Sequence, residues 1–177
     1  KGNILDKFGP ELSLHLKNKN YDITFRPHPI FYSDQSKNFK KIIELSKRDL
    51  ISLESPFEGD SAIFYADILI GDYSGINLEF AALRKKPLIS VDVENKVSNK
   101  NWRDLKITPM EIKIRETVGL LAPPDLNKIL DAVNELELNK KEYNHQNISS
   151  KEFLFNEGKC SEIAFKRIFF LLEQNNV

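Results

Sequence analysis

The sequence alternates short apolar runs with amphipathic stretches, and this alternation limits the folds open to the chain. We predict strands at 21–26, 50–53, 68–70, 88–91 and 117–121, and helices at 8–19, 34–47, 60–65, after Ser74, at 124–138 and at 160–174. Strand and helix patterns that alternate in this way are typical of a parallel sheet with crossover helices. The fold class predicted is therefore α/β, a three-layer Rossmann-like domain with a mainly parallel sheet and one domain over residues 1–177.

The boundaries of the elements follow from local signals. Pro10 is expected in the first turn of the first helix, where its missing N–H costs nothing. Residues 92–111 are predicted to form a long loop, and the lysine-rich stretch 140–150 is predicted to be a solvent-exposed connecting segment. The closing helix is so apolar that it should pack on the sheet or on a partner domain. A doubly wound sheet ordinarily starts with a strand, so we expect a piece of a longer protein whose first strand is missing.

The composition excludes several classes of function. The chain carries 26 Lys and Arg against 26 Asp and Glu, and such a balance argues against nucleic acid as a partner. Its one cysteine, Cys160, cannot form an internal disulfide, and three scattered histidines give no metal-ligand spacing. We expect no metal and no cofactor, and no run is long enough to span a bilayer. The predicted location is the cytoplasm, with room for peripheral association of a longer parent with the inner membrane face.

The stretch from Ala66 to Phe80 has the local chemistry of an anion site. An apolar strand leads into Asp72 and Tyr73, and Ser74 is placed to cap the helix that follows. The first amides of a helix point at whatever occupies such a turn, and a phosphate suits them. Gly75 leaves space for an approaching ligand, and Glu79 lies one turn later on the same face, within reach of ribose or polyol hydroxyls.

A second candidate element follows the strand at 21–26. Arg26 offers a planar fork for phosphate oxygens, and His28 stands between two prolines that restrict its backbone. The alternative is a stiff turn with an exposed histidine. Since ligands bind at the carboxyl edge of open parallel sheets, we expect this element and the 72–79 turn to meet at one edge of one sheet. Glu54 and Ser55, after the next strand, are candidate nucleobase contacts.

The residues Arg26-Pro27-His28-Pro29, Asp72-Tyr73-Ser74-Gly75 and Lys86-Pro87-Leu88-Ile89 resemble the C-terminal half of CDP-glycerol glycerophosphotransferases, enzymes of teichoic-acid-type polymer synthesis. The resemblance covers residues 20–95 well and the rest by topology. It implies the C-terminal, donor-binding half of a GT-B fold, with the N-terminal lobe missing. It also implies a CDP-linked polyol donor and a polymer or glycan acceptor held through that lobe.

The resemblance assigns roles to single residues. It implies that His28, with Arg26, contacts the donor pyrophosphate and stabilises the leaving group, that Ser74 holds phosphate, and that Glu79 meets the donor. This sequence departs from the family at two positions, since the family more often has a second Ser at Gly75 and commonly an Asp at Glu79. Both departures bear on which donor is bound.

Other functions remain open from the sequence. The His-Pro element and the Ser-Gly turn are also similar to those of non-hydrolysing UDP-N-acetylglucosamine 2-epimerases, so a UDP-sugar glycosyltransferase or epimerase-like domain is an alternative. A non-catalytic nucleotide-binding module is another. His15 and His145 follow no strand edge, so we interpret both as structural or surface residues. The general base is expected from the missing lobe.

Overall fold

The computed structural model describes residues 2–34, 36–57, 59, 61–94, 99, 101–106, 108–113, 115, 118–139 and 156–174. The chain divides into two compact units, Lys1–Gln146 and Asn147–Val177. The elements are α1 (Ile4–Asn18), β1 (Thr24–Phe25), α2 (Ile30–Asp34), α3 (Lys37–Lys47), β2 (Ser52–Leu53), α4 (Ser61–Tyr65), β3 (Leu69–Gly71), α5 (Gly75–Glu79), a π-helical turn (Phe80–Arg84), β4 (Leu88–Val91), α6 (Met110–Lys113), β5 (Leu120–Ala122), α7 (Leu126–Leu138) and α8 (Cys160–Gln174). The predicted connection at 140–150, with His145, lies outside the described residues, as do Asp60 and Thr117.

The described strands pair in parallel in two sheets. β1 pairs with β2, and Thr24 lies opposite Ser52. The second sheet has the order β3-β4-β5, with Ile70 opposite Ile89. Parallel strands with helices between them confirm the predicted α/β, Rossmann-like class. The prediction of a single sheet is wrong for the described residues, because no ladder joins the β1-β2 pair to the other three strands.

Strand β4 shows why the apolar runs of this sequence form strands. All four of its residues are buried, between Pro87 and an exposed Asp92. A strand covered on both faces reads as a continuous apolar run rather than as an alternation. The strand predicted at 88–91 is therefore confirmed residue for residue. β3 and β5 begin and end one to three residues later than predicted at 68–70 and 117–121.

Two clusters of buried side chains form the interior of the first unit. The central core consists of Leu12, Leu16, Ile89, Val91, Val93, Ala122, Ile129, Ala132, Val133 and Leu136. The lateral core consists of Leu5, Phe39, Ile42, Leu45 and Ile51. Helix α1 contributes to both, since Leu5 belongs to the lateral core, whereas Leu12 and Leu16 belong to the central core. α1 is thus the element that joins the packing over the two sheets.

The structure corrects the start of α1. The helix begins at Ile4 rather than Phe8, because the Asn3 side chain caps it by accepting from the Asp6 amide at 2.8 Å. Pro10 consequently lies inside the helix and not in its first turn. A proline there deprives the carbonyl four residues earlier of its helical donor. Asn38 of α3 supplies a replacement, since its Nδ2 donates to the Asp6 carbonyl at 2.8 Å.

A second correction concerns the predicted helix at 34–47. The structure begins this helix three residues later, as α3 after Ser36, whose hydroxyl accepts from the Phe39 amide at 3.3 Å, and α2 before it was not predicted. A serine that caps a helix has non-helical backbone, so the helix starts at the residue after it and not at the start of the predicted pattern. The predicted loop at 92–111 likewise ends in a short helix, α6.

Tyr21 connects the segment before β1 to α7, and this contact predicts a pH dependence. Burial, a hydrogen bond to Glu137 and the charge of Glu137 together raise the pKa of Tyr21 from 10.0 to about 12. The folded state therefore holds the phenol proton more tightly than the unfolded state does. Below pH 10 this contribution to stability is complete, and it is lost as the pH rises from 10 to 12.

We therefore expect Tyr21→Phe to lose less stability than the wild type across that interval. Urea unfolding of both proteins at a series of pH values measures this difference in stability. Because both proteins contain the same lysines, the contribution of lysine titration cancels in the comparison. Parallel curves for the two proteins would contradict the prediction.

The second unit contains α8, which matches the predicted helix at 160–174 in both bounds. None of its residues is buried, and Phe165 stacks on Phe169 with ring centroids 6.1 Å apart. Within the described part of the chain, no helix combines the length and apolar character that crossing a membrane requires.

Candidate functional site

The turn between β3 and α5 is held from inside by Asn77. This side chain is 2% exposed, and its Nδ2 donates to the Asp72 carbonyl at 2.7 Å. The bond fixes the backbone between the strand and the helix. Sequence reasoning missed Asn77, and the available signal was an amide between Ile76 and Leu78, at a position that the helix buries.

Asn77 can occupy this position only because residue 71 is a glycine. A Cβ on Gly71 would overlap Oδ1 of Asn77. Gly75 differs, since a Cβ there would meet nothing within 4 Å. The two glycines of this turn are thus in different surroundings. Gly71 leaves room for the Asn77 side chain, whereas Gly75 faces open space.

Ser74 lies at the predicted N-cap position with extended backbone, φ −146° and ψ 143°. Its hydroxyl makes no capping hydrogen bond to the described helix amides, in contrast to the bond predicted. Gly75 and Glu79 are both exposed, one turn apart as predicted. The helix continues directly into the π-helical turn, a feature found frequently near functional sites.

Arg115 and Asp92 lie beside this turn, and sequence reasoning missed both. The Arg115 side chain is 8% exposed and its Nη2 lies 3.3 Å from Oδ1 of Asp92, the residue after β4. Its guanidinium carbon lies 5.3 Å from the centroid of the Tyr73 ring. A buried guanidinium therefore joins the carboxyl end of β4 to the turn after β3. The contacts are set by folding across more than 20 residues of sequence, which no local pattern indicates.

Arg26 and Glu54, predicted in separate roles, form an ion pair. Arg26 Nη1 lies 3.5 Å from Glu54 Oε2, and the two side chains are 21% and 11% exposed. The other carboxylate oxygen of Glu54 accepts from the Ala62 amide at 2.8 Å, in the first turn of α4. Glu54 thus connects the end of β1 to α4. The residue predicted as a nucleobase contact therefore has two partners within the protein.

His28 is exposed, and Pro27 before it is buried. The His28 ring accepts at Nδ1 from the Ile30 amide at 3.3 Å, and the His28 carbonyl accepts from Phe31. A ring that accepts at Nδ1 carries its proton on Nε2 when it is neutral. The turn into α2 therefore leaves His28 with an N–H donor directed away from the backbone, suited to an oxygen of a ligand.

A cavity of about 460 Å³ opens at the ends of β1 and β2. It is lined by Thr24, Ser52, Leu53, Glu54, Ser55, Ala62 and Tyr65. The Ser55 hydroxyl accepts from the Phe57 amide at 3.2 Å, and Tyr65 is 82% exposed. The two residues predicted to contact a nucleobase, Glu54 and Ser55, therefore line the same cavity. Glu54 is at the same time ion-paired with Arg26 and hydrogen-bonded to α4.

The predicted site residues fall into two groups. Arg26, His28, Glu54 and Ser55 follow the strands of the β1-β2 sheet, whereas residues 72–79 follow β3 in the other sheet. For the part of the chain that the structure describes, the prediction that both elements follow strands of one sheet is wrong. Hydrogen bonding between strands far apart in sequence cannot be derived from a local pattern. Both groups nonetheless follow the carboxyl ends of parallel strands, the edge that binds ligands in this fold class.

The described residues hold no group of three or more His, Cys, Asp or Glu that could bind a metal ion. His15 is exposed on α1, and its ring Nδ1 lies 3.0 Å from the Glu11 carbonyl of the preceding turn. This placement agrees with its interpretation as a surface residue.

Comparison with known protein families gives a match. The model of a family described as CDP-glycerol:poly(glycerophosphate) glycerophosphotransferase matches residues 8–170. No curated protein and no solved structure matches the chain. Because the match extends over nearly all of the sequence and includes every predicted site residue, the chain belongs to the CDP-glycerol:poly(glycerophosphate) glycerophosphotransferase family.

Proposed function

We propose that this chain is the donor-binding part of a transferase that moves glycerol phosphate, or a related polyol phosphate, from a CDP-linked donor to a polymer or glycan acceptor. The observation that carries the proposal is the turn after β3, where Asn77 fixes the backbone at a helix start and the Ser74 hydroxyl makes no capping bond to the described helix amides. Membership of the family supplies the reaction class.

The proposed reaction is a displacement at phosphorus. An acceptor hydroxyl attacks the phosphate that carries the glycerol, a new P–O bond forms, and the bond to the CMP phosphate breaks. The acceptor proton goes to a general base, which we place in an N-terminal lobe of a GT-B fold. CMP leaves with increased negative charge on its phosphate oxygen. Groups fixed before the reaction stabilise that charge with little reorganisation.

Three features of this chain support such stabilisation. His28 has an exposed Nε2 donor, because its Nδ1 is engaged by the Ile30 amide. Ser74 offers a hydroxyl at a helix start. Arg115, buried against Tyr73 and Asp92, adds a cation beside the same turn. Teichoic-acid-type or capsule synthesis at the inner face of the membrane is the cellular role that we propose for the longer parent.

Isothermal titration with CDP-glycerol, CDP-ribitol and UDP-N-acetylglucosamine tests the proposal. We expect the cytidine donors to bind and the UDP-sugar to bind more weakly. Stronger binding of the UDP-sugar would favour the glycosyltransferase or epimerase-like alternative. If none of the three nucleotides binds, the donor-binding proposal is overturned.

The variant His28→Ala should weaken binding of CDP-glycerol by about 10-fold or more, since a hydrogen bond to a charged group contributes about 1.5–3 kcal/mol. Its melting temperature should not change, because the ring is exposed and makes one long hydrogen bond, at 3.3 Å. His15→Ala is the matched control, as it removes an exposed histidine from α1. Equal affinities of the two variants would show that His28 does not contact the donor.

A further inference from the structure

One face of helix α3 carries a concentration of positive charge. It consists of five exposed residues, which we call the basic stripe: Lys37, Lys40, Lys41, Lys47 and Arg48. Because residues three and four apart lie on one face of a helix, the stripe forms a single row, interrupted by Glu44. The whole chain has 26 Lys and Arg and 26 Asp and Glu, so the stripe is a local excess of charge that the composition does not indicate.

Neighbouring side chains do not neutralise the basic stripe. Among the residues that the structure describes, none of its five cations forms an ion pair, although Glu44 lies three or four residues from four of them. Other lysines on the surface do form such pairs, for example Lys128 with Asp131 at 3.5 Å. The charges of the stripe are therefore accessible to an anionic partner.

Part of the basic stripe destabilises the helix that carries it. Lys37 is the first residue of α3, and the first turn contains no acidic residue. The amino end of a helix is partially positive, so a cation there is unfavourable and an acid is favourable. Lys37 also lies one turn from Lys40 and Lys41, and like charges at that spacing are destabilising. Residues that conflict with their own local structure indicate a function outside it.

The path of the chain places one end of the stripe beside the candidate donor site. α3 lies in the connection from β1 to β2, and these strands are parallel, so the helix begins at their carboxyl edge and returns to their amino edge. Lys37 is thus at the edge where Arg26 and His28 follow β1. The 11 residues of α3 give the stripe a length of about 16 Å, directed away from that edge.

We propose that the basic stripe binds the phosphates of the acceptor polymer, in the units that precede the reacting end. A linear polyol phosphate carries one phosphate in every unit, at a spacing comparable to the rise of one helix turn, about 5.4 Å. Each phosphate that a lysine or arginine neutralises releases counterions, so several weak contacts along the chain add up. The identity of this polyanion rests on the proposed function.

The burial of α3 favours such a polymer over a membrane surface. A helix that binds to a bilayer places its apolar face among the lipids. The apolar face of α3, with Phe39, Ile42 and Leu45, is already buried in the lateral core. The stripe also contains no aromatic residue on which the bases of a single-stranded nucleic acid could stack. What α3 offers to a partner is positive charge alone, which suits a hydrophilic chain of phosphates.

Binding of a polymer fragment at several salt concentrations tests the proposal. A fluorescently labelled glycerol phosphate oligomer of about six units is titrated with the whole chain, and its anisotropy is measured. We expect the triple variant Lys40→Gln, Lys41→Gln and Lys47→Gln to weaken binding at least about tenfold at low salt. The dependence of the dissociation constant on salt should also become less steep, because fewer phosphates are neutralised.

A matched control removes the same charge from another surface. Lys106, Lys113 and Lys128 are exposed and lie outside α3, so replacing all three by glutamine should leave binding of the oligomer as it is in the wild type. An equal loss of affinity in the two triple variants would overturn the proposal, because the attraction would then depend on net charge and not on α3.

A single substitution separates binding from folding. Lys37→Glu places an acid at the first residue of α3 and removes its repulsion from Lys40 and Lys41, so the melting temperature should rise. The affinity for the oligomer should fall in the same variant. A purely structural role for Lys37 predicts no change in affinity, and that result would contradict the proposal.

Further outcomes distinguish this inference from its alternatives. If the stripe variants bind the oligomer as the wild type does but lose affinity for phosphatidylglycerol vesicles or for single-stranded RNA, the stripe belongs to a membrane or a nucleic acid, and the proposal is overturned. A chain that binds CDP-glycerol but not the oligomer disproves the inference and leaves the proposed function standing. A chain that binds the oligomer through the stripe but not CDP-glycerol does the reverse.

Discussion

Gly71→Ala is expected to destabilise the first unit by about 3 kcal/mol, at the upper end of the cost of overpacking a buried site. The added Cβ would overlap Oδ1 of Asn77, which is 2% exposed and cannot move into solvent without leaving the turn. Either Asn77 shifts and its 2.7 Å bond to the Asp72 carbonyl breaks, or β3 moves away from β4. Urea unfolding of the variant measures the loss.

A double-mutant cycle identifies the cause of that loss. Asn77→Ala alone should cost about 1–3 kcal/mol, because it removes a buried hydrogen bond. In the double variant the clash no longer exists, so its total cost should fall below the sum of the single costs by at least about 1 kcal/mol. Additive costs would show that Gly71 is required for another reason.

Gly75 provides the matched control for Gly71. A Cβ there meets nothing within 4 Å, so Gly75→Ala should change stability by less than about 0.5 kcal/mol. The same open space would accommodate a serine side chain at this position. Gly75→Ser therefore separates the effect of that hydroxyl on donor choice from any effect on folding.

Glu54→Ala should have the second large effect, a loss of about 2–3 kcal/mol in the free energy of unfolding. This is less than the cost of breaking a fully buried ion pair, because both side chains are partly exposed. The substitution removes the carboxylate 3.5 Å from Arg26 and the acceptor of the Ala62 amide. Glu54→Gln keeps an acceptor for Ala62 and loses the charge, so its cost should be intermediate. Chemical unfolding of both variants gives the comparison.

An exposed ion pair of the same protein is the control for this prediction. Lys86 Nζ lies 3.1 Å from Asp67 Oδ1, and the Asp67 side chain is 73% exposed. Asp67→Ala should cost less than about 1 kcal/mol, as exposed pairs do. If Glu54→Ala proved no more costly than Asp67→Ala, and weakened CDP binding instead, the nucleobase role predicted from the sequence would be supported.

The sequence predicted best those elements whose signals are local. β4 is an apolar run between Pro87 and Asp92, and α8 is a long apolar helix, so both bounds of each could be derived. Prediction failed where a side chain changed the boundary. Asn3 starts α1 a full turn before the predicted residue, and Ser36 starts α3 three residues after the predicted one.

The candidate site was predictable only in its exposed parts. Ser74, Gly75 and Glu79 lie on the helix start as their spacing indicates. Asn77 and Arg115 act through burial and through contacts with the backbone of Asp72 and with Asp92 and Tyr73. Such contacts arise only when the whole sheet is assembled. The division of the strands into two sheets is of the same kind, since it depends on pairing between segments far apart in sequence.

The π-helical turn at Phe80–Arg84 determines how the side chains at the start of its helix are rotated about the helix axis relative to those at its end. A π turn holds one residue more than an α turn, so it delays the helical rotation by about 100° relative to an uninterrupted helix. The first half exposes Gly75 and Glu79, whereas Phe80, Ala81 and Ala82 are buried in the second half. A single-residue deletion here would rotate the start of the helix against its packed end. Insertions and deletions within this turn are therefore expected to be poorly tolerated.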